Sequence, residues 1–126
     1  MSTRLAFAAP LPGLADLTEF TLEPVEDAVG LYSLDSADRP EIRFFVLDAA
    51  THLPDYAPRF SREQLALVGA AAVQKPTVLA MVNTSDREAT VNLLAPVLVN
   101  PETGACAQVI LEGQDWPLRS PLGATA

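Results

Sequence analysis

Proline is the feature that most constrains what this chain can fold into. Its eleven prolines are spread from Pro10 to Pro121 and do not concentrate in one linker. Because proline has no backbone N–H and a fixed φ, it ends helices and is excluded from central strands. The prolines therefore divide the chain into short segments separated by turns, a pattern that favours a mainly β fold.

Short apolar or alternating runs predict the strands. The run 77–82 is almost continuously apolar, which indicates a strand covered on both faces. Pro96 lies inside another run and implies either an edge position or a bulge. Turns are predicted at 35–40 and 100–104, where Gly104 can supply the positive φ of a hairpin loop. The predicted strands are 19–22, 30–34, 42–47, 77–82, 91–99 and 107–111.

One short helix is predicted near residues 61–68. Ser61 and Gln64 have the spacing of a capping box, and Gly69 is placed to end the helix. With 126 residues, the chain is the size of one domain, residues 1–126. We expect an antiparallel sheet system, either a sandwich or a partly closed barrel, that carries this helix.

The charge balance limits the classes of partner. Sixteen acidic residues face eight basic ones, so the formal net charge is −8. A direct nucleic-acid binder needs a cationic surface, which this composition excludes. The apolar stretch 5–9 is cut short by Pro10, and it falls below the roughly 7–15 apolar residues of a signal peptide. Since no run reaches the roughly 18 apolar residues of a membrane helix, we expect a cytoplasmic protein.

The chain has little equipment for catalysis. Cys106 and His52 are its only cysteine and its only histidine, which excludes an internal disulfide, a cysteine zinc cage and a multi-histidine metal site. A Cys106–His52 nucleophile is possible, but an inert buried thiol is the simpler interpretation. Asp48 and Asp55 flank the loop that holds His52. They would be either the carboxylates of a small β-barrel enzyme or solvated loop acids. The scattered glycines form no phosphate-binding loop, so we expect no catalytic site, metal or cofactor.

What remains is a binding surface. Tyr56 and Trp116 lie in proline-bounded segments outside the predicted strands. Aromatic side chains in loops are common anchors at protein interfaces. The alternative is that both rings cover the ends of the core. If they are exposed, the net charge would favour a basic partner by steering the encounter.

Four stretches carry motifs, and they follow one another in a fixed order. They are P-G-L through F-T-L-E-P (12–24), F-V-L-D with P-D-Y (45–56), N-L-L-A-P-V-L-V-N (92–100), and Q-V-I-L with W-P-L-R-S-P-L (108–122). Together they resemble the FliW family of flagellar assembly factors over nearly the whole chain. The third stretch is the most specific match, since it resembles the family's N-L-L-A-P-I-V-I-N signature.

The chain departs from the family pattern at three places. The usual β-hairpin ahead of the P-G motif is absent, which predicts an exposed sheet edge and possible self-association. The aromatic-rich stretch before P-D-Y is A-A-T-H-L at 49–53, and the family's R-H-P is R-S-P at 119–121. These differences predict a divergent member, and a generic protein- or ligand-binding β module that kept the fold but lost the flagellar partners is the alternative.

The resemblance implies a cytoplasmic, non-enzymatic regulator with a small β-barrel-like fold. Such a protein binds flagellin and, alternatively, CsrA, a basic RNA-binding repressor of translation, and binding of CsrA relieves the repression of flagellin synthesis. For partner contact, the sequence nominates Asp48, Asp55, Tyr56 and Trp116. Asn92 and Asn100 bracket the signature stretch, and we expect their side-chain amides to bind backbone groups near Pro96.

Overall fold

The structure is a computed structural model that describes residues 3–8, 17–39, 41–53, 56, 58–69, 76–83, 89–111, 113–116 and 120–121. Strands dominate it. The strands are β1 (Thr3–Phe7), β2 (Glu19–Pro24), β3 (Leu31–Ser36), β4 (Arg43–Asp48), β5 (Thr77–Asn83), β6 (Thr90–Val99), β7 (Ala105–Gln108) and β8 (Ser120–Pro121). Two short helices, α1 (Ala49–His52) and α2 (Arg62–Leu67), lie between β4 and β5. The mainly β prediction is confirmed.

Seven of these strands close into a barrel. The order β5-β4-β3-β2-β1-β7-β6 returns to β5 through a further β5–β6 pairing, while β8 adds two residues to the side of β6. Among the described strands, every pairing is antiparallel except that of β1 with β7, where Ala6 lies opposite Ala105 and Phe7 opposite Cys106. Of the two architectures left open by the sequence, the barrel is the one that forms.

The barrel interior is an apolar core to which every strand of the ring contributes. Strand alternation points every second side chain inward, and Phe20 lies at the centre with Phe7 edge-on to it, their ring centroids 5.2 Å apart. The fully buried Cys106 belongs to this core. Its other buried members are Leu5, Leu17, Leu34, Val46, Leu79, Val97 and Val99.

Pro96 lies at a bulge in β6. The step from Leu79 to Met81 on β5 is matched by the longer step from Val97 back to Asn92 on β6, so the register shifts there. The prediction of an irregularity is confirmed in its bulge form, because β6 has neighbours on both sides. Beyond β7 the ladder continues past the bulge, with the N–H of Val109 donating to the Pro96 carbonyl at 3.0 Å.

The prediction of an exposed sheet edge is wrong, because β1 pairs with β2 on one side and with β7 on the other. The stretch that looks like the start of a signal sequence is this strand, with Leu5 and Phe7 pointing into the core. Gly104 makes the junction possible. It has φ of +80°, and a Cβ there would lie 2.5 Å from the Arg4 carbonyl oxygen.

The outside of the barrel wall has two different faces. On the outer side of β4–β7 a second apolar layer packs against the sheet; we call this the covered face, and its buried outward side chains are Leu47, Ala80, Val91, Leu93, Leu98 and Ala107. On the outer side of β1, β2, the end of β3 and the start of β4, the outward side chains are mostly polar and at least partly exposed, whereas Leu31 at the start of β3 packs at the margin of the covered face. We call the polar side the bare face, and its outward side chains include Arg4, Glu19, Thr21, Glu23, Asp35 and Arg43.

Candidate functional site

The second layer on the covered face comes from two parts of the chain. The segment 49–69 supplies α1, α2 and the side chains of Leu53, Tyr56 and Phe60, and the segment 109–116 supplies Trp116. Both segments pack their apolar side chains on the outward residues of β4–β7. Since this layer holds most of the residues nominated from the sequence, it is the candidate site.

Helix α1 begins at Asp48, the last residue of β4. The Asp48 carboxylate accepts a hydrogen bond from the Ala50 N–H at 3.2 Å and another from the Thr51 hydroxyl at 3.1 Å. Asp48 is thus an N-cap, a position where Asp and Asn satisfy free N–H groups equally well. His52, at the end of α1, contacts the Val29 carbonyl through Nε2 at 2.6 Å, which ties α1 to the β2–β3 loop.

Helix α2 has the predicted capping box. Ser61 Oγ accepts from the Gln64 N–H at 3.0 Å, and Gln64 Oε1 accepts from the Ser61 N–H at 2.9 Å. The remaining Gln64 donor reaches the Ile110 carbonyl at 3.1 Å. A residue that caps its own helix therefore also connects the two segments of the layer.

Gln114 makes the second connection between the two segments. Its Nε2 donates to the Arg59 carbonyl at 2.8 Å, and its Oε1 accepts from the Arg59 N–H at 2.9 Å. The side-chain amide thus pairs with the Arg59 backbone as a neighbouring strand would. Oε1 also accepts from the Trp116 indole N–H at 3.2 Å, so the same amide orients that ring.

Tyr56 and Trp116 form the aromatic centre of the layer. Their rings are edge-to-face, with centroids 4.7 Å apart and planes at 88°. The Tyr56 hydroxyl donates to the Leu93 carbonyl of β6 at 2.5 Å. Burial raises the pKa of Tyr56 above its ordinary value, because the phenolate would lose hydration there. Both rings are half-buried, which means that they cover the sheet and still present part of their surface.

The structure places the nominated residues as follows. Asp48, Tyr56 and Trp116 all belong to the covered face, whereas Asp55 lies outside the described residues. Cys106 and His52 have separate environments, since the thiol lies in the barrel interior and the imidazole is exposed on α1. Burial raises the pKa of Cys106 to about 12, so the thiol stays protonated at neutral pH. The prediction that Cys106 is a buried thiol is confirmed.

Two cavities open on this layer. The first, of about 610 Å³, lies beside α1; we call it the α1 groove, and its lining includes Asp48, Ala50, Leu53, Tyr56, Pro58 and Val78. The second, of about 550 Å³, lies beside α2; we call it the α2 groove, and its lining includes Arg59, Glu63, Gln64, Leu67, Ile110 and Gln114. Tyr56 and Asp48 line the α1 groove, and Gln114 lines the α2 groove.

The part of the chain that the structure describes contains neither a cluster of metal-ligating side chains nor a membrane-spanning helix. No three side chains of His, Cys, Asp or Glu come close enough there to hold a metal ion. None of the described helices has the length and apolar character needed to cross a membrane.

Comparison with known proteins decides the family. The model of the family described as "FliW protein" matches residues 1–122 of this chain. The chain belongs to the FliW family. The flagellar assembly factor FliW of Symbiobacterium thermophilum is 34% identical over 125 residues, covering 97% of this chain and 91% of that protein. The protein of the same name from Moorella thermoacetica is 31% identical, covering 96% of this chain and 78% of the relative.

A solved FliW structure has the same fold. A crystal structure of the flagellar assembly factor FliW superposes with a TM-score of 0.84 at 21% identity, covering 94% of this chain and 84% of the solved one. The barrel described above is therefore the FliW fold.

The residues at both ends of the FliW-like signature stretch 92–100, Asn92 and Asn100, make hydrogen bonds that support the fold. Asn92 Oδ1 accepts from the N–H groups of Leu94 and Ala95, each at 3.0 Å, beside the Pro96 bulge. The Asn100 amide donates to the Val68 carbonyl at 2.9 Å, at the end of α2, and its Oδ1 accepts from the Glu102 N–H. The expectation of backbone partners near Pro96 is confirmed for Asn92, whereas Asn100 binds backbone groups elsewhere and holds the end of α2, in the second layer, to the barrel.

Sequence reasoning missed Gln64 and Gln114 as connecting residues. The sequence pattern of the capping box predicts the contact of Gln64 with Ser61. It contains nothing that predicts the second contact of Gln64, with Ile110. Gln114 lies in no strand or helix, and its partner Arg59 is distant in sequence. A signal that could have drawn attention to it is its position two residues before Trp116, since a buried indole N–H needs an acceptor.

Proposed function

We propose that this protein is a cytoplasmic flagellar assembly factor that acts by binding flagellin and, alternatively, the translational repressor CsrA. Binding of CsrA relieves repression of flagellin synthesis, and accumulated flagellin occupies the protein and restores it. The observation that carries the proposal is the FliW family match over residues 1–122. Relatives that carry the name flagellar assembly factor over most of their length support it.

The chemistry of the chain supports binding rather than catalysis. The barrel-interior thiol is kept protonated, and the imidazole lies elsewhere, on α1. With a formal net charge of −8, the molecule attracts a basic protein over a long range and repels nucleic acid. CsrA, as an RNA-binding protein, is a partner of that kind.

We propose that the partner contacts include Asp48, Asp55, Tyr56 and Trp116, within one domain that spans 1–126. The described members of this set lie together in the second layer on the covered face. Tyr56 and Trp116 have structural contacts as well, so a partner would touch the part of each ring that remains exposed.

Isothermal titration of the purified protein with the flagellin and the CsrA of the same organism tests the function. We expect saturable binding of each partner, and we expect saturating flagellin to displace CsrA. An unrelated basic protein of similar charge serves as the control for nonspecific attraction. If neither partner binds at concentrations on the order of 10 µM, the proposed function is wrong.

A further inference from the structure

The α1 groove combines an apolar lining with a single charge. Among its described lining residues, Asp48 is the one charged side chain, and the others are alanine, leucine, proline, valine, threonine or tyrosine. A concave, mostly apolar surface with a few polar groups is the usual form of a site for a small group or side chain. Its volume of about 610 Å³ is large enough for one or two amino-acid side chains.

The α2 groove differs in its charge. Arg59 and Glu63 both line it, so opposite charges are present on the same surface. In the α1 groove no basic residue accompanies Asp48 among the described lining, and no ion pair of Asp48 occurs in the part of the chain that the structure describes. Counting the described residues alone, the α1 groove is therefore the cavity with an uncompensated negative charge.

The Asp48 carboxylate has acceptor capacity left. Each of its oxygens accepts one hydrogen bond, from the Ala50 N–H and the Thr51 hydroxyl, whereas a carboxylate offers about four acceptor positions. The side chain is half-buried, at the boundary between the groove and solvent. A cation that reaches it there is less screened than one on an open surface.

We propose that the α1 groove is the docking site for a partner segment that carries an apolar side chain next to a lysine or arginine. The apolar side chain packs in the groove against Tyr56 and Val78, and the cationic group pairs with Asp48. The identity of the partner rests on the proposed function, but the chemistry of the segment rests on the groove alone. A segment with an acidic residue at the same place is rejected, because two carboxylates would face each other.

The first test separates the charge of Asp48 from its structural role. Asp48→Asn removes the charge and keeps the N-cap of α1, since Asn caps as well as Asp and the Thr51 hydroxyl can accept from the amide in place of donating to the carboxylate. We expect binding of the partner that uses the groove, flagellin or CsrA, to weaken about tenfold, with a smaller dependence on salt than the wild type. The control is Glu102→Gln, which makes the same charge change on the exposed 100–104 loop and should leave affinity nearly unchanged.

The second test fills the groove. Ala50 lines it from the exposed side of α1, so Ala50→Trp occupies the space without entering the core. We expect a loss of at least about tenfold in affinity with an unchanged melting temperature. If both variants bind both partners as the wild type does, the α1 groove is not the docking site, even though the proposed function stands.

The third test does not depend on flagellin or CsrA. Acetyl-Leu-Arg-amide and acetyl-Leu-Glu-amide are titrated at roughly millimolar concentration, as expected for such small ligands, while the backbone amide shifts of Ala50, Thr77 and Val78 are followed by NMR. We expect shifts with the arginine peptide, weaker ones with the glutamate peptide and none in Ala50→Trp. Equal shifts for both peptides, or shifts of residues outside the groove, would overturn the proposal. Groove shifts that depend on protein concentration alone would also overturn it, because they would indicate that a second copy of the chain occupies the groove.

Discussion

The covered face and the bare face belong to one barrel with one interior, yet they meet different surroundings on the outside. On the covered face the outward residues are apolar, and residues such as Leu98 and Ala80 are fully buried beneath the second layer. On the bare face the equivalent positions carry Arg4, Thr21 and Asp35, which form a row across neighbouring strands. The strand geometry is the same in both halves, and what differs is the outward side chains together with the segments that pack on them.

The difference between the two faces indicates which half of the barrel wall contributes most to stability and which half can bind a partner. Covering half the wall gives β4–β7 an apolar environment on both sides, and it also creates the two grooves at the margins of the second layer. The outward side chains of the bare face are mostly polar or charged, and the pairing of exposed charges contributes little. We therefore expect substitutions on the covered face to have large effects and those on the bare face small ones.

The largest effect is expected for Leu98→Ala on the covered face. Leu98 points outward from β6 but is fully buried beneath the second layer. Truncation should lower the free energy of unfolding by about 2–5 kcal/mol, as in a protein core, because it leaves a cavity. Urea denaturation measures the change.

The matched control is Thr21→Ala, an outward residue of β2 on the bare face. A surface substitution of this kind should stay within about 0.5 kcal/mol. If Leu98→Ala were equally mild, the second layer would not behave as a core, and the comparison between the faces would fail.

A smaller effect is expected for Gln114→Ala, which removes the hydrogen bonds to Arg59 and Trp116. The loss should be about 2 kcal/mol, since each hydrogen bond contributes about 1 kcal/mol and the region is partly solvated. Trp116 is the chain's only tryptophan, so its fluorescence reports the change directly, and we expect a red shift from increased hydration. Asp115→Asn, at the exposed neighbouring residue, is the control and should leave the emission unchanged.

Tyr56→Phe tests one hydrogen bond between the second layer and the barrel. At neutral pH we expect a loss of about 1 kcal/mol, because the Leu93 carbonyl loses its donor. The folded-state pKa of Tyr56 is raised by burial, so its contribution is complete below about pH 10, where the unfolded chain ionises, and is lost as pH rises further.

The difference in stability between wild type and Tyr56→Phe should therefore shrink above pH 10, which urea titrations at a series of pH values will show. Tyr32→Phe controls for the general loss of stability in alkali. A difference that stays constant through the alkaline range would mean that Tyr56 ionises equally well in the folded protein.

The smallest effect is expected for Asp35→Asn on the bare face. Arg43 binds Asp35 in a bidentate pair, with distances of 2.8 Å and 3.1 Å; the Arg43 side chain is 56% exposed and the Asp35 side chain 19%. Solvent and salt screen the pair through its exposed Arg43 side, so the urea midpoint should move less than in Leu98→Ala, Gln114→Ala or Tyr56→Phe. The remaining difference should vanish in high salt, and a persistent large loss would indicate that the bare face contributes more than its exposure allows.

Local signals in the sequence predict much of the fold. The alternation in 19–22 and the continuous apolar run 77–82 are enough by themselves to distinguish a strand of the bare face from one of the covered face. The capping box at Ser61 is also a local pattern, and helix α2 begins where it predicts. Strand β3 extends to Ser36, into the predicted turn 35–40, because its partner β4 pairs Arg43 with Asp35.

The features that the sequence does not predict depend on partners distant in the chain. Strand β1 has only five residues, and one of its two neighbours, β7, lies about 100 residues further along the chain, so by local pattern the segment 5–9 is only a short apolar stretch that imitates a leader. For the candidate site, the sequence nominates Asp48 and Tyr56, but α1, with four residues, is too short for a helical period. The pairing of Gln114 with Arg59 leaves no pattern in the sequence, because a single side-chain amide makes the hydrogen bonds that a neighbouring strand would make.

The parallel junction between β1 and β7 has a consequence for the order of folding. It joins Ala6 to Ala105, about 100 residues apart, while most other neighbours in the ring are connected by shorter loops. Closing so long a loop is entropically costly, which places the junction among the last contacts to form. During translation β1 leaves the ribosome early but must wait for nearly the whole chain before the ring can close. Until then the edges of β1 and β7 are available to other strands, and the close approach of Gly104 to the Arg4 backbone forms only when the ring closes.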